Sequence, residues 1–263
     1  MRIGYVQIAP RFGEVERNLA RAMELMGSER ADLWVLPELF ATGYSFSSRG
    51  ELAELAEPVP EGKISTTLLD WAERHHAYIV AGLAESAGGR IYNAAMLLGP
   101  EGLLLRYRKL HLFGMEKEWF DPGDLPLKVG EAAGARIGIM VCFDHFFPEV
   151  ARTLTLKGAQ IICHPANLIL PGLGQLSMRV RAMENWVFTV TANRIGQERR
   201  AHGVLRFTGE SQIVAPDATV LVKASPDREE VGVTEVDPEK ADDKRITRHN
   251  HLLADRRPDF YEL

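Results

Sequence analysis

Cysteine is scarce here: the 263 residues contain two, Cys142 and Cys163, too few for a disulfide framework. In a chain with no secretory features they are better taken as free thiols. An excess of positive charge is also missing. Lys and Arg total 31 against 36 Asp and Glu, for a formal net charge of −5, so there is no electrostatic footprint for nucleic acid. The local basic pairs, Arg199-Arg200 and Arg256-Arg257, are too short to argue otherwise. No apolar stretch approaches the roughly 18–20 residues of a membrane helix, and no signal-peptide pattern precedes the strand-like run Arg2–Ile8. The expectation is a cytoplasmic protein with neither a membrane nor a nucleic-acid partner. Phosphate-loop and metal patterns are lacking too. Gly88-Gly89 and Gly172-Leu173-Gly174 stand alone, and His75-His76 and His249/His251 have no ligand partners at zinc spacing. No cofactor and no metal are expected.

What is present is ordinary globular composition, 46% hydrophobic and 25% charged. Short β-branched apolar runs recur at 3–8, 33–36, 78–82, 94–98, 137–141, 160–163, 187–192, 211–214, 220–222 and 231–236. Amphipathic helical patterns cover Val15–Met26, Ser65–His76, Pro148–Lys157 and Gln175–Trp186. Strands alternating with helices indicate buried sheets faced by helices. Two strand pairs joined by Pro/Gly/Asp turns, at 96–104 and 213–220, make the sheet mixed. Nothing divides the chain, which reads as a single domain over 1–263. From about 237 it becomes a polar tail, either frayed or docked on a second subunit.

Three residues invite chemistry. Cys142 closes the run Ile137–Val141 and precedes Pro148-Glu149, where a helix should begin. That places it at the carboxyl end of a strand, where α/β folds carry sites, and near helix amides that favour a thiolate. Alone, a cysteine there is more often inert core. Cys163 also ends an apolar run, but no helix start follows, and strand alternation points it away from His164. His145 is within reach as a base or as a pocket wall. Glu38, after Trp34–Pro37, is either a solvated loop carboxylate or a general base held at the sheet edge. Lys109 sits in an alternating basic–apolar run that suits an exposed strand edge. Beside a thiolate it would lower the thiol pKa and neutralise an oxyanion. Glu116 and Glu118 could pair with it.

Together, Leu36-Pro37-Glu38-Leu39-Phe40-Ala41-Thr42-Gly43-Tyr44, Tyr107-Arg108-Lys109-Leu110-His111-Leu112-Phe113 and Cys142-Phe143-Asp144-His145-Phe146-Phe147-Pro148-Glu149 resemble the nitrilase superfamily of carbon–nitrogen hydrolases. Gln7, Asp121-Pro122-Gly123, His164-Pro165-Ala166-Asn167, Arg181–Asn185 and Thr191–Arg194 add to the resemblance, which runs from about residue 2 to 236. It implies a four-layer αββα sandwich with two mixed β-sheets between helices. It also implies a homodimer joined through the helix after the cysteine and the C-terminal segment. Catalytic roles fall on Glu38, Lys109 and Cys142, with a second glutamate at Glu116 rather than Glu118. Phe40, Tyr44, Phe143, His145, Phe146 and Asn167 are expected to bind substrate. Phe143-Asp144 after the cysteine, in place of Trp-Glu, is more similar to the amidase branches. The expected substrate is a small aliphatic amide, hydrolysed through a thioester. A small aliphatic nitrile and an N-carbamoyl compound are the alternatives. A binding subunit or an ammonia-supplying subunit is the competing class.

Overall fold

A computed structural model describes residues 1–261. Its strands are β1 (Arg2–Gln7), β2 (Leu33–Val35), β3 (Tyr78–Ala87), β4 (Arg90–Gly99), β5 (Gly102–Arg108), β6 (Val129–Ala132), β7 (Ala135–Ile139), β8 (Ile161–Ala166), β9 (Phe188–Asn193), β10 (Gln197–Arg200), β11 (Gly203–Arg206), β12 (Gln212–Val214), β13 (Val220–Lys223) and β14 (Glu230–Glu235). Its helices are α1 (Val15–Gly27), α2 (Arg49–Leu55), α3 (Lys63–His75), α4 (Glu116–Trp119), α5 (Pro148–Leu156) and α6 (Leu173–Asn185). The four long helices fall within two residues of the bounds expected from periodicity. In α5, Pro148 takes the first turn, where its missing N–H costs nothing.

Two six-stranded mixed sheets form, ordered β14-β1-β2-β3-β4-β5 and β13-β12-β9-β8-β7-β6, with β10-β11 as a separate hairpin. In the first sheet β1, β2 and β3 are parallel, while β4, β5 and β14 run antiparallel to their neighbours. In the second, β7, β8 and β9 are parallel. Both expected hairpins are there, as β4-β5 and β12-β13. Gly88-Gly89 is the tight turn between β3 and β4, with φ of 57° and 78° that only glycine adopts freely.

The sheets stack face to face. Ile3, Val35, Val80 and Leu97 of one meet Ile137, Ile161, Cys163 and Val190 of the other. Leu19, Ala22 and Met26 of α1, with Leu68 and Trp71 of α3, cover the outer face of the first sheet. Val150 and Leu154 of α5, with Met178 of α6, cover that of the second. This is the αββα sandwich, four layers in which each apolar helix stripe and each sheet face has a partner. The tail is not frayed where it leaves β14. Lys244 Nζ donates to Trp186 O at 2.8 Å, and Gln160 Nε2 donates to Asp242 Oδ2 at 2.9 Å.

One glycine sets the distance between β3 and the loop after β2. A Cβ on Gly82 would lie 2.6 Å from Glu38 Cα and 2.9 Å from Pro37 O, both backbone atoms that cannot swing aside. Gly82→Ala is therefore expected to cost about 1–3 kcal/mol through overpacking and to displace Glu38. Thermal unfolding and turnover should fall together. An unchanged melting temperature with full activity would show that the loop yields freely.

Candidate functional site

β5 runs antiparallel to β4, and β4 antiparallel to β3, so β5 points the same way as β2 and β3. Glu38 after β2 and Lys109 after β5 thus leave the same end of the first sheet. Cys142 after β7 and Asn167 after β8 leave the parallel strands of the second. Lys109 Nζ donates to Glu38 Oε1 at 2.7 Å and to Glu116 Oε1 at 2.8 Å. Asn93 Nδ2, from β4, donates to the same Glu38 oxygen at 2.7 Å, and Tyr44 Oη donates to Glu116 Oε1 at 2.6 Å. Lys109 and Glu38 are 0% exposed and Cys142 is 6% exposed. The sequence suggested an exposed strand edge for Lys109. The structure overturns this, because Arg106 and Arg108 around it are drawn into pairs with Glu85 and Asp124 while Lys109 turns inward. Glu118 is exposed, so Glu116 is the glutamate that the site receives.

Burial would strip the Lys109 ammonium of its proton, but Glu116 and Glu38 outweigh it and hold the pKa above its ordinary value. Burial raises Glu116 above the usual carboxylate range despite Lys109. The Cys142 thiol is the surprise. Burial first, then the Glu38 carboxylate, push it well above an ordinary thiol, and Lys109 and the Asn167 backbone N–H recover only part of that. The expected helix-stabilised thiolate is therefore corrected. The thiol keeps its proton at rest, so a nucleophile here needs a base.

Cys142 sits in a 3₁₀ turn, Cys142–Phe146, at φ 45°. A non-glycine residue in the left-handed region costs on the order of 1 kcal/mol or more and persists only where its surroundings enforce it. Asp144, fully buried, does the enforcing. Its Oδ2 accepts from Val141 N at 2.8 Å and from Tyr107 Oη at 2.6 Å. Its Oδ1 accepts from His111 N at 3.2 Å and lies 2.8 Å from His111 Nδ1. On the other side His164 Nε2 donates to Cys142 O at 2.9 Å. Sequence reasoning passed over Asn93, and it gave Asp144 and His164, though both stand in the quoted motifs, no role. Cys163, buried between the sheets, has no part in the site.

A narrow recess of about 20 Å³ opens beside Cys142, lined by Phe113, Phe143, His145, Phe146, Asn167 and their neighbours. A second recess holds Tyr44, Glu116, Trp119 and His202 and shares Phe113 and Ile169 with the first. Five of the six residues expected at a substrate pocket line these two spaces. Phe40 does not: it is fully buried against the α1–α3 layer, because Leu39 at φ 49° turns the chain between Glu38 and Phe40. His145 forms no hydrogen bond with Cys142. Burial, then Arg181, bring its pKa down to about 4, so its ring is neutral near pH 7. Among the described residues no three His, Cys, Asp or Glu side chains gather to hold a metal ion.

Stacked mixed sheets between helices, with an ammonium and two carboxylates gathered at one end of the first sheet and a thiol leaving a strand of the second, define the class as a hydrolase of the nitrilase-like four-layer architecture. The carbon-nitrogen hydrolase family matches residues 2–246, and the chain belongs to that family. It is a hydrolase of carbon–nitrogen bonds other than peptide bonds. The chain is 47% identical over 264 residues to a protein of Pyrococcus abyssi named a nitrilase, with 99% of each covered. It is 35% identical over 262 residues to an (R)-stereoselective amidase of a Pseudomonas species, covering 98% of this chain and 92% of that one. Among solved structures, the carbon-nitrogen hydrolase of Helicobacter pylori G27 superposes with a TM-score of 0.87 at 26% identity, covering 99% of this chain and 96% of that one. An amidase of Nesterenkonia sp. AN1, carrying acrylamide added to its active-site cysteine, gives 0.77 at 25% identity, covering 93% and 96%.

Proposed function

We propose that the protein hydrolyses a small aliphatic amide through a thioester on Cys142. The observation that carries this reading is Lys109 Nζ, buried, held between Glu38 and Glu116 at 2.7 and 2.8 Å, and close enough for its charge to act on the Cys142 thiol. An ammonium fixed there, out of water, is a preorganised partner for an oxyanion. Glu38 Oε2, buried and without a hydrogen-bond partner, is the free oxygen that a base needs.

In this reading Glu38 takes the Cys142 proton as sulfur bonds to the amide carbon. Lys109 and the Phe143 amide stabilise the oxyanion. The carbon–nitrogen bond then breaks, and nitrogen leaves as ammonia with the proton that Glu38 returns. Water attacks the thioester, giving its proton to Glu38. The carbon–sulfur bond breaks, the carboxylic acid departs, and the thiol regains its proton. Glu116 fixes Lys109.

A second reading, hydrolysis of a small aliphatic nitrile, is favoured by the nitrilase name of the 47%-identical relative. The two share the attack of Cys142 and differ in the first adduct, a thioimidate for the nitrile. Ammonia release should be measured for matched amides and nitriles with wild type and Cys142→Ala. Amide hydrolysis is expected and should vanish in the variant. Faster nitrile turnover would replace the first reading, and release that survives Cys142→Ala would sink both.

The same reading takes the chain as one cytoplasmic domain that pairs with a second copy. No described helix is long and apolar enough to cross a membrane. Leu176, Val180 and Met183 stand exposed along α6, and Phe260 is 69% exposed in the tail, as surfaces awaiting a partner would be.

A further inference from the structure

We propose that the recess beside Cys142 disfavours anionic substrates and selects those that carry a second, neutral hydrogen-bonding group, such as a second carboxamide, received by Asn167 Oδ1 and the His145 ring. The inference rests on the amide reading above and names the substrate class for it.

Two residues that line this recess each carry a buried polar atom with no partner. Asn167 Nδ2 donates to Glu38 O at 2.9 Å, which fixes the amide orientation and leaves Oδ1 as an acceptor with nothing to accept from. His145, 3% exposed, has an unpartnered Nδ1. Its ring lies against Phe146, with centroids 4.3 Å apart, and edge-on to His164 at 5.8 Å. Buried polar atoms rarely stay unpaired, and those that do at a site are commonly satisfied by what binds there. A carboxamide suits both atoms. Its N–H reaches Asn167 Oδ1, and its N–H or C=O matches the imidazole in either tautomer.

The rest of the wall disfavours an anion. Besides Cys142, His145 and Asn167, the recess is lined by Phe, Leu, Ile and Gly. The neighbouring space contributes the Glu116 carboxylate, already engaged by Lys109 and Tyr44. The nearby cation, Arg181, is turned away: its Nε donates to the His145 carbonyl at 3.1 Å and its Nη1 pairs with Glu184 at 2.5 Å. A carboxylate on the substrate would enter without a free counter-charge, because Lys109 is already held by two glutamates that repel an anion.

Three amides of similar length separate these effects: succinamide, its anionic half-hydrolysed form succinamate, and butyramide, which lacks the second polar group. For wild type, kcat/KM for succinamide is expected to exceed that for butyramide about tenfold, and that for succinamate by at least about a hundredfold. In His145→Leu the succinamide-to-butyramide ratio should collapse towards one, and His145→Gln should restore part of it. Reading the ratio cancels any general loss from an altered turn. Succinamate used as well as succinamide, or a ratio untouched in His145→Leu, overturns the proposal. If wild type hydrolyses none of the three, the amide reading has failed, and calorimetric binding to Cys142→Ala decides the subsite by itself. Succinamide binding tightest supports the proposal, and equal affinities sink it.

Discussion

Replacing Lys109 with methionine is expected to lower kcat by a factor on the order of 10²–10³ and to destabilise the fold by about 3–5 kcal/mol. The sequence motif alone would suggest only the first effect, since a lysine on an exposed edge can be removed at little structural cost. Burial changes that. Lys109 is 0% exposed, and its ammonium is the positive charge bound to Glu38 and Glu116. Without it, two carboxylates face each other in a dry site, and one must take up a proton. Their protonation adds acid uptake on folding, so the variant's stability should improve as pH falls towards 5, where carboxylates protonate more readily. Pairing Lys109→Met with Glu116→Gln removes one stranded charge. Stability should then recover by a kcal/mol or more while turnover stays low. Chemical denaturation and steady-state kinetics on both variants test this. Near-normal turnover in Lys109→Met would reduce the lysine to a structural cation.

Much of this architecture was legible because apolar periodicity carries it. Leu19, Ala22 and Met26 mark one face of α1, and Ile137, Ile139, Ile161, Ile162, Phe188 and Val190 mark the buried parallel strands β7, β8 and β9. Where burial is slight, the pattern is silent. In α2 only Leu52 is buried, although Ser48 accepts from Glu51 N at 3.1 Å and Ser48-x-x-Glu51 is a capping sequence that could have revealed it. The β10-β11 hairpin buries Glu198 and little else, so its polar composition reads as loop.

The site divides the same way. Residue type and position made Glu38, Lys109 and Cys142 candidates, and the resemblance of their three segments to the nitrilase superfamily gave them their roles. Their supports could not be read, because each comes from a distant element whose local sequence gives no sign of its target. Asn93 reaches Glu38 from the middle of the sheet, and Tyr107 reaches Asp144 across the sandwich. Glu198 illustrates the distance involved. It accepts from the backbone amides of Tyr44 and Ser45, at 3.1 and 2.6 Å, and is paired with Arg194, so one hairpin and one strand end together shape the loop that carries Tyr44 to Glu116.

Glu38→Gln should move turnover and thiol acidity in opposite directions. Oε1 of Glu38 is occupied by Lys109 and Asn93, and Oε2 is buried with no partner. A glutamine can keep its carbonyl oxygen on Lys109 and Asn93 and place its amide where Oε2 stood. Shape survives, and the proton acceptor is gone. Loss of a positioned general base costs roughly 10²–10⁴ in rate, so amide hydrolysis should fall by at least 10²-fold. The negative charge that raises the Cys142 thiol also disappears. After burial it is the largest influence on that thiol, so the thiol pKa should drop. The pH at which iodoacetamide labelling of Cys142 reaches half its maximal rate should therefore shift downward in the variant. The sign follows from electrostatics: removing an anion beside a thiolate favours the thiolate. Intact mass spectrometry with a small amide completes the test. Wild type should show an acyl adduct on Cys142 only in passing, whereas the variant should show either none or one that forms slowly and persists, because water at the thioester lacks its base. A variant that turned over amides at the wild-type rate would remove Glu38 from proton transfer, and an unshifted labelling profile would mean its charge does not reach the sulfur.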